Sequence, residues 1–422
     1  MDNKLYASYL NILKSELVVA MGCTEPIAIA YGAAIAKSYF NGVPDVIKLV
    51  VSGNIIKNVK SVVIPHTGGM RGLIGALSAG FVAGDASKEL EVISHVSEAQ
   101  IEDTKAFMDK TKFIVEQSGS DCQFDIQITV TNNEHTVFVH LLNYHTNVVK
   151  VQVDEKVIIN KEINDDQKDM SDYRLLTVEN IVEFGKTVDI SDVKDILDRQ
   201  IEYNMAIANE GMNNPWGACV GKILLESYGD SVANKAKAYA AAGSDARMNG
   251  CEMPVVINSG SGNQGMTTSI PVIIYARELN VSDELLYRAL VIANLITAHL
   301  KTGIGRLSAY CGATSAGCGA AAGITYLYGG DFYEIAHTIV NAVAINSGVI
   351  CDGAKSSCAA KIASSVEAGL LGMQMTFNKT QFYGGEGILA KGVENTIRNV
   401  GRLASNGMRD TDKEILNIML EE

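Results

Sequence analysis

The sequence has little of what marks secreted, disulfide-stabilised or nucleic-acid-binding proteins. Its 422 residues include 8 cysteines, too few for a disulfide scaffold in a chain of this size. Lysine and arginine number 35 against 48 aspartates and glutamates, which gives a formal net charge of −13 at pH 7. Nucleic acids and anionic membranes both attract basic surfaces, so we expect neither of them as a partner.

Long uninterrupted apolar runs are also missing. The run "LVVAMGCTEPIAIAYGAAIA" is broken by Glu25 and Pro26, and "IAHTIVNAVAINSGVIC" contains His337 and two asparagines. These runs predict buried helices and not membrane spans. The first residues, "MDNKLYASYLNILKSEL", carry acids and lack the apolar core of a signal peptide, so we expect a cytoplasmic protein. In a reducing compartment, cysteines that recur in similar surroundings are more often ligands or catalysts.

The length and the patterns along the chain predict an α+β fold with two domains, because the chain is too long for one ordinary core. We expect residues 1–168 to form a mixed α/β domain with an antiparallel sheet. Residues 169–422 should form a mainly helical domain with buried central helices. The polar run "NDDQKDMSD" at 164–172 is the predicted linker.

Periodicity predicts the individual elements. In the first domain we expect a helix over 4–39, strands in "VIKLVVSG" and "SVVIP", and a glycine-rich turn that enters a helix in "GGMRGLIGALSAGFVAG". The segments "FDIQITVTNN", "HTVFVHLLN" and "NVVKVQVD" alternate with period two and predict an antiparallel meander, which "VDEKVIINKEI" extends by a strand. Helical spacing recurs in the second domain at 176–206, 215–241, 283–300, 311–328, 332–348 and 354–371.

Cysteines recur at the same spacing in two small-residue segments. Cys311 and Cys318 lie in "CGATSAGCGAAAG", and Cys351 and Cys358 lie in "CDGAKSSC". On one helix, a spacing of seven separates two residues by about 10.5 Å, which is wide for two ligands of one small metal centre. The pattern predicts that one cysteine of each pair is a ligand and the other is packed as a small apolar residue. Plain packing of all four remains an alternative.

A third context favours a metal cluster. In "MGCTEPIAIA", Thr24 is the predicted helix cap and Pro26 fits the first turn, so Cys23 lies at a helix N-terminus that favours its thiolate. We expect Cys23, Cys311 and Cys351 each to lie at a glycine-flanked start of an element, where they would supply three thiolates to an iron–sulfur cubane and leave one iron open as a Lewis acid. The remaining cysteines, Cys122, Cys219 and Cys251, have no such surroundings and are predicted to be structural.

The segment "PVVINSGSGNQGMTTSIPVI" contains a G-x-G-x-x-G pattern at Gly260, Gly262 and Gly265 after a strand-like run. A dinucleotide site is disfavoured, because Pro271 falls where the helix should run and no βαβ unit surrounds the pattern. We expect instead a polar loop that holds an anionic group such as a carboxylate. Its candidate substrate-binding residues are Asn258, Ser259, Ser261, Asn263 and Gln264. A solvent-exposed loop is the alternative.

Further charged residues lie near glycines or near the cysteines. In "IPHTGGMRGLIGA", His66 is a candidate for proton transfer and Arg71 for pairing with a carboxylate. In "AHLKTGIGRLSAYCGA", Lys301 and Arg306 precede Cys311 and are candidates for contact with the cluster or with the substrate. Arg247 in "GSDARMNG" belongs to the same group. A structural role is the alternative for each of these residues.

Taken together, "GCTEP", "INSGSGNQG…IPV", "CGATSAGCGAAAG" and "CDGAKSSC" resemble the L-cysteine desulfidase family. The C-terminal part of that family is similar to the alpha chain of iron–sulfur L-serine dehydratases. The resemblance covers most of the chain in the same order. It implies a cytoplasmic, oxygen-sensitive [4Fe–4S] lyase that eliminates the β-substituent and the amino group of a small amino acid.

Carried over by motif, the resemblance implies Cys23, Cys311 and Cys351 as the cluster ligands. Cys358 is the rival third ligand, because in the dehydratases a ligating cysteine follows the corresponding "C-D-P" segment. L-Cysteine is the expected substrate, with pyruvate, ammonia and hydrogen sulfide as products, and L-serine is the alternative. Three groups are candidates for the catalytic base. They are a displaced cysteine thiolate such as that of Cys23, the carboxylate of Glu25 and the ring of His66.

Two other functions remain open from the sequence. Pyridoxal phosphate enzymes perform the same elimination, and Lys301 or Lys355 would then form the Schiff base. A regulator that senses cysteine or a cluster would share the cysteines and lack turnover. In each case we expect a homodimer, the commonest oligomer of soluble proteins.

Overall fold

The computed structural model describes residues 1–120, 122–161, 172–305 and 307–421. It confirms the predicted α+β fold, with sheets in the N-terminal part and helices in the C-terminal part. Almost all of the predicted linker, the domain boundary predicted at 168 and Arg306 lie outside the described residues. No helix in the described ranges is both long and apolar enough to cross a bilayer.

The N-terminal part alternates helices with strands. Its elements are α1 (Asn3–Glu16), β1 (Val19–Met21), α2 (Thr24–Tyr39), β2 (Val46–Val51), α3 (Gly53–Val59), α4 (Gly72–Ala83), α5 (Glu98–Lys110), β3 (Lys112–Gln117), β4 (Asp125–Thr131), β5 (Thr136–Leu142), β6 (Val148–Val153) and β7 (Lys156–Asn160). A short 3₁₀ helix covers Ala86–Glu91. The strands form a six-stranded sheet in the order β3-β2-β4-β5-β6-β7, in which only β2 and β3 run parallel.

The predicted meander is confirmed as β4 to β6, with β7 as the added strand. Alternate residues such as Ile126, Ile128, Val137 and Val139 are fully buried, because period-two apolar residues share one face of a strand. This face packs against α2. At the contact, a Cβ on Gly32 of α2 would lie 2.9 Å from side-chain carbons of Ile128 and of Leu141 on β5. The sheet therefore fixes the helix that begins just after Cys23.

Two predictions for the N-terminal part were wrong. The helix expected over 4–39 is interrupted, because Val19–Met21 form a strand and Gly22 adopts a left-handed backbone at φ +65°. The segment "SVVIP" forms no strand, and its one ladder contact is an isolated bridge between Val63 and Arg71. In both places the paired backbone segment is only one to three residues long. Such a segment is too short to show an alternating pattern of apolar residues in the sequence.

The C-terminal part is a helical bundle with one short strand. After a 3₁₀ turn at Asp172–Leu175, its elements are α6 (Val178–Thr187), α7 (Ile190–Asn213), α8 (Val220–Tyr228), α9 (Val232–Met248), β8 (Pro254–Val256), α10 (Gly262–Glu278), α11 (Asp283–Ile304), α12 (Gly312–Leu327), α13 (Phe332–Ile345), α14 (Cys358–Phe377), α15 (Val393–Arg402) and α16 (Arg409–Glu421). Strand β8 pairs with β1 in an antiparallel ladder, so the N-terminal chain is built into the bundle.

Helix α12 is the buried central helix, and it packs against α10, α11, α13 and α14. Its small residues permit backbone contact with these neighbours. A Cβ on Gly317 would lie 2.3 Å from the carbonyl oxygen of Ser365, and one on Gly319 would lie 2.5 Å from that of Ala293. The glycine- and alanine-rich composition around Cys311 is therefore explained by helix packing along α12.

Three helical predictions need correction. The segments 176–206 and 215–241 each contain two helices, with new N-caps at Asp189 and Ser231 whose side chains accept backbone N–H bonds. The third concerns residues 254–273, where the turn is short and α10 begins at Gly262 and continues through Pro271. The argument that Pro271 excludes a helix there was wrong.

The crossing of α2 and α4 gives a stability test. Gly80 lies so close to α2 that an added Cβ would be 2.1 Å from the carbonyl oxygen of Ala30. We expect Gly80→Ala to lower the free energy of unfolding by about 1–3 kcal/mol, because the backbones must move apart. Urea unfolding monitored by circular dichroism measures the change. Gly119→Ala is the control, because its Cβ meets nothing within 4 Å. Equal stability of the two variants would contradict this packing.

Candidate active site

One cavity, partly open to solvent, gathers most of the predicted site residues between the N-terminal part and the helical bundle. From the sequence-based candidates it is lined by Cys23, Glu25, Ser259, Ser261, Asn263, Gln264, Lys301, Cys311, Cys351 and Cys358. It is also lined by Asn58, His145, Arg247 and Tyr310. Residues that are far apart in the sequence are therefore brought to one wall.

Backbone pairing sets Cys311 beside Cys351. Tyr310 and Ile350 form an isolated antiparallel bridge. On either side of it, the Cys311 N–H donates to the Val349 carbonyl at 2.9 Å, and the Cys351 N–H donates to the Ala309 carbonyl at 2.7 Å. This pairing brings together two cysteine segments that are 40 residues apart in the sequence.

Three of the four cavity cysteines lie at helix N-termini. Cys23 is the N-cap of α2 and Cys311 is the N-cap of α12, and neither side chain makes a capping hydrogen bond. Cys358 is the first residue of α14. Cys351 lies in the preceding loop, so the prediction that it begins an element was wrong, as was the prediction of Thr24 as the cap of α2. The positive ends of helix dipoles favour negative charge on thiolates or on a group that they hold.

The thiols influence one another electrostatically in the metal-free chain. A hydrogen bond from Cys311 lowers the pKa of Cys351, and the nearby ammonium groups of Lys57 and Lys301 lower it further against the effect of burial. The same hydrogen bond, together with burial, raises the pKa of Cys311. The Cys311 and Cys351 side chains thus favour a state with one thiolate and one thiol over a state with two thiolates.

Cys358 is the thiol that connects the other three. Burial raises its pKa, and the charge of Cys351 adds to the rise. Cys358 in turn contributes to the raised pKa of Cys311 and of Cys23. Burial raises the pKa of Cys23 to about 12, and the charged groups that act on it are Arg247, Glu25 and Cys358. Cys358 therefore acts electrostatically on both Cys311 and Cys23, and it packs against Cys23.

This donor set fits an iron–sulfur cluster better than a single metal ion. Sets of thiolates are typical of zinc or iron–sulfur sites. Within the described ranges, no three histidine, cysteine or acidic side chains converge as one metal ion requires. In a cubane each cysteine binds a different iron, so the sulfur atoms need not converge on one point. Cys23, Cys311, Cys351 and Cys358 form no disulfide and are thus able to act as ligands.

The buried cation of Arg247 acts electrostatically on Glu25, a half-buried acid close to Cys23. Arg247, at the end of α9, is 4% exposed and donates to the Gly22 carbonyl at 2.7 Å and to the Asn263 side chain at 3.2 Å. Its Nε atom has no hydrogen-bond partner among the described residues. Burial raises the pKa of the Glu25 carboxyl, and the Arg247 charge opposes this rise. The arrangement offers a guanidinium group to an anionic ligand and a carboxyl group for proton transfer.

The predicted polar loop is a tight turn followed by a helix N-terminus. Ser259 and Gly260 both have positive φ values, 51° and 80°, and Asn258 pairs with Ser261 across them. Positive φ at both central positions is typical of a type I′ turn. The turn is fixed to the N-terminal part, because Thr24 Oγ1 donates to the Gly260 carbonyl at 2.9 Å and the Ser259 N–H donates to Glu16 at 2.7 Å.

The beginning of α10 faces the cavity. Its first N–H groups have no intrahelical acceptors, which makes this end attractive to anions. Gln264 is 7% exposed, and its Oε1 has no partner in the part of the chain that the structure describes. The amide lies against Gly312, where a Cβ would be 2.5 Å from Gln264 Cδ. Asn258 and Ser259 are buried, so the alternative of a solvent-exposed loop was wrong.

Three predicted residues do not line the cavity. Arg71 is exposed, and its guanidinium group donates to the Ser61 carbonyl at 2.9 Å. The His66 ring lies 3.3 Å from the Glu252 carboxylate in a left-handed turn. Asn258 is fully buried and donates to the Asn294 side chain at 2.9 Å, so it supports the turn from behind. Their contacts indicate structural roles.

The sequence pointed to Arg247 as a candidate for contact with the cluster or the substrate, and it gave no sign of Asn58 or Tyr310. Asn58 donates to the Glu25 carboxylate at 3.3 Å. Tyr310 is 1% exposed, and its hydroxyl has no partner within the described ranges. The available signal for Arg247 was its position as a lone arginine in the alanine-rich helix "VANKAKAYAAAGSDARM". Asn58 and Tyr310 carry no comparable signal.

Comparison with known proteins identifies the family of this chain. A model of the serine dehydratase alpha chain family matches residues 87–417. The chain is 55% identical over its full length to a UPF0597 protein of Desulfitobacterium hafniense, covering 98% of that protein. A UPF0597 protein of Lachnoclostridium phytofermentans is 48% identical over 99% of this chain and all of the relative. One of Shewanella oneidensis is 36% identical over 99% of both chains. The chain therefore belongs to the serine dehydratase alpha chain family.

Proposed function

We propose that this protein is an iron–sulfur lyase that converts L-cysteine and water to pyruvate, ammonia and hydrogen sulfide. The observation that carries the proposal is the convergence of four thiols, a buried arginine and a helix N-terminus on one cavity. Membership of the serine dehydratase alpha chain family indicates the coarser class, a lyase of the serine dehydratase type. The choice of L-cysteine is the finer step and rests on the "GCTEP" segment around Cys23.

Cys311, Cys351 and Cys358 are the proposed ligands of a [4Fe–4S] cluster. When bound by three thiolates, such a cluster offers an open iron that acts as a Lewis acid toward the leaving group. The sequence favoured Cys23 as the third ligand, with Cys358 as its rival. We propose Cys358 instead, because it lies at the start of α14, lines the cavity with Cys311 and Cys351, and packs against Cys23.

The α-carboxylate of the substrate is the group that Arg247 would bind. The guanidinium group is held in place by the Gly22 carbonyl and Asn263, so its orientation is fixed before the substrate arrives. A Cβ on Gly262 would lie 2.4 Å from Arg247 Nε, so the guanidinium group lies directly over the start of α10. Charge and helix dipole thus favour a carboxylate at the same point.

Proton removal from Cα falls to the residues at the start of α2. Cys23 and Glu25 line the cavity beside Arg247, and Asn58 orients the Glu25 carboxyl. Loss of the Cα proton and of the β-thiolate gives aminoacrylate, whose imine tautomer hydrolyses to pyruvate and ammonia. One water is consumed, and the departing sulfur leaves as hydrogen sulfide. His66 does not reach this cavity and is not part of the proposal.

L-Serine is the second candidate substrate, because the family match is to serine dehydratases. Serine and cysteine differ only in the leaving atom. The cavity lining includes the apolar residues Ala313 and Ile362 together with the polar residues Ser308 and Tyr310, so it accommodates either leaving group.

The ligand assignment is tested by four single substitutions, Cys23→Ser, Cys311→Ser, Cys351→Ser and Cys358→Ser. After anaerobic purification we expect the last three to lose most of their iron and acid-labile sulfide, because each removes a thiolate ligand. Cys23→Ser should keep normal iron content and lower the turnover of L-cysteine, because Cys23 lines the cavity next to Glu25, the proposed proton acceptor. Cys318→Ala is the matched control, since Cys318 lies on the same helix as Cys311 and does not line the cavity.

Two results would contradict this assignment. If Cys358→Ser retains iron and Cys23→Ser loses it, Cys23 is the third ligand. If none of the four substitutions changes the iron content, the cavity does not hold a cluster and the proposed function fails.

The carboxylate contact is tested by Arg247→Gln. We expect KM for L-cysteine to rise about thirtyfold or more, since loss of a buried charge-assisted contact costs about 2 kcal/mol or more. The iron content should stay normal, because Arg247 is not a ligand. Arg288→Gln is the control: that arginine bonds backbone carbonyls, including those of Gly185 and Lys186, away from the cavity. A KM that is unchanged in Arg247→Gln would remove the arginine from the substrate site.

A further inference from the structure

Lys57 of α3 is a buried cation that does not line the active-site cavity. Its side chain is 2% exposed, and its Nζ atom forms an ion pair with Asp412 of α16. The same Nζ donates to the backbone carbonyl of Cys351 at 3.3 Å. Burying an ammonium group is costly unless its hydrogen bonds are satisfied, so both acceptors are needed to hold Lys57 in place.

Helix α16 contributes no residue to the active-site cavity, yet it is fixed to the element that carries Lys57. Lys60 donates to the Met419 carbonyl near the end of α16. Leu416 is buried against the start of α3, where a Cβ on Gly53 would lie 2.4 Å from Leu416 Cδ2. These contacts join α16 to α3, and Lys57 extends the connection to the cysteine loop.

The Cys351 residue is held from two sides. Its N–H donates to the Ala309 carbonyl at 2.7 Å, and its own carbonyl accepts from Lys57. The first bond belongs to the pairing that sets Cys351 beside Cys311, and the second depends on the position of the lysine. Asp412 determines that position from the other end of the side chain, without contacting Cys351.

We infer that Lys57 is a positioning residue that couples the C-terminal helix α16 to the orientation of Cys351. The function assigned to this coupling, retention of the cluster, rests on the proposed function, in which Cys351 is a ligand. The coupling itself concerns only the protein chain. Residues that orient a ligand from behind typically change metal affinity by about 10–100-fold when they are removed.

The experiment compares Lys57→Met, Asp412→Asn and Lys60→Met with the unaltered full-length protein. Lys60→Met is the matched control, because it removes a contact with α16 from the same helix and does not reach Cys351. Hydrogen–deuterium exchange on the metal-free chain is followed in peptides that cover 349–353 and 409–421. On anaerobically purified protein, the rate of iron release to a chelator is followed by absorbance.

We expect Lys57→Met and Asp412→Asn to speed exchange in both peptides, and Lys60→Met to speed it only in 409–421. The two coupled variants should release iron about tenfold faster than the unaltered protein, while Lys60→Met should release it at the normal rate. Asp412→Asn keeps the buried lysine, so it provides the test if Lys57→Met does not fold.

Unchanged exchange in 349–353 of the Asp412→Asn variant would overturn the inference, as would equal behaviour of Lys57→Met and Lys60→Met. These outcomes are distinct from a failure of the proposed function. If the unaltered protein binds no iron, the proposed function fails, and the exchange data still decide whether α16 and the cysteine loop are coupled.

Discussion

The candidate site depends on one pair of backbone hydrogen bonds. The bonds from Cys311 to Val349 and from Cys351 to Ala309 join two loops that precede α12 and α14. They fix two thiols side by side in the segments that precede two helices packed against each other. The glycines and alanines of α12 make this packing close enough for the two loops to meet. The composition of the central helix and the geometry of the thiols are therefore parts of one constraint.

The N-terminal part completes the cavity from the opposite side. The β1–β8 ladder and the contacts of Glu16 and Thr24 with the turn at Ser259 and Gly260 place the start of α2 against the start of α10. Two helix N-termini, a buried arginine and the thiols then share one wall. An anionic substrate and a cluster held by thiolates would both be stabilised by this arrangement, because positive helix ends and Arg247 offset their charge.

Elements with a strong period were predictable from the sequence, and those set by distant contacts were not. Strands β4 to β6 alternate over six or seven residues each, and α12 has a long run of small residues, so both were found. Strand β1 has only three residues, and its partner lies in the other half of the chain. Helix α10 was missed because Pro271 and three glycines suggested a loop. Packing on β8, where a Cβ on Gly265 would lie 2.1 Å from the Val256 carbonyl, accounts for the helix instead.

The same distinction applies to the site. The cysteines, Glu25 and the turn residues stand out in sequence because of their unusual neighbours, whereas the approach of Arg247 to Cys23 depends on how α9 meets α2. The central claim is that this cavity binds a cluster and eliminates sulfide from L-cysteine. The most direct measurement is anaerobic purification, followed by a visible spectrum, iron and sulfide analysis, and assays of pyruvate and hydrogen sulfide with L-cysteine and with L-serine. We predict a brown protein with about four irons per chain that releases sulfide and pyruvate equally from L-cysteine. A protein that stays colourless after anaerobic reconstitution, or one that forms pyruvate only from L-serine, would contradict the account.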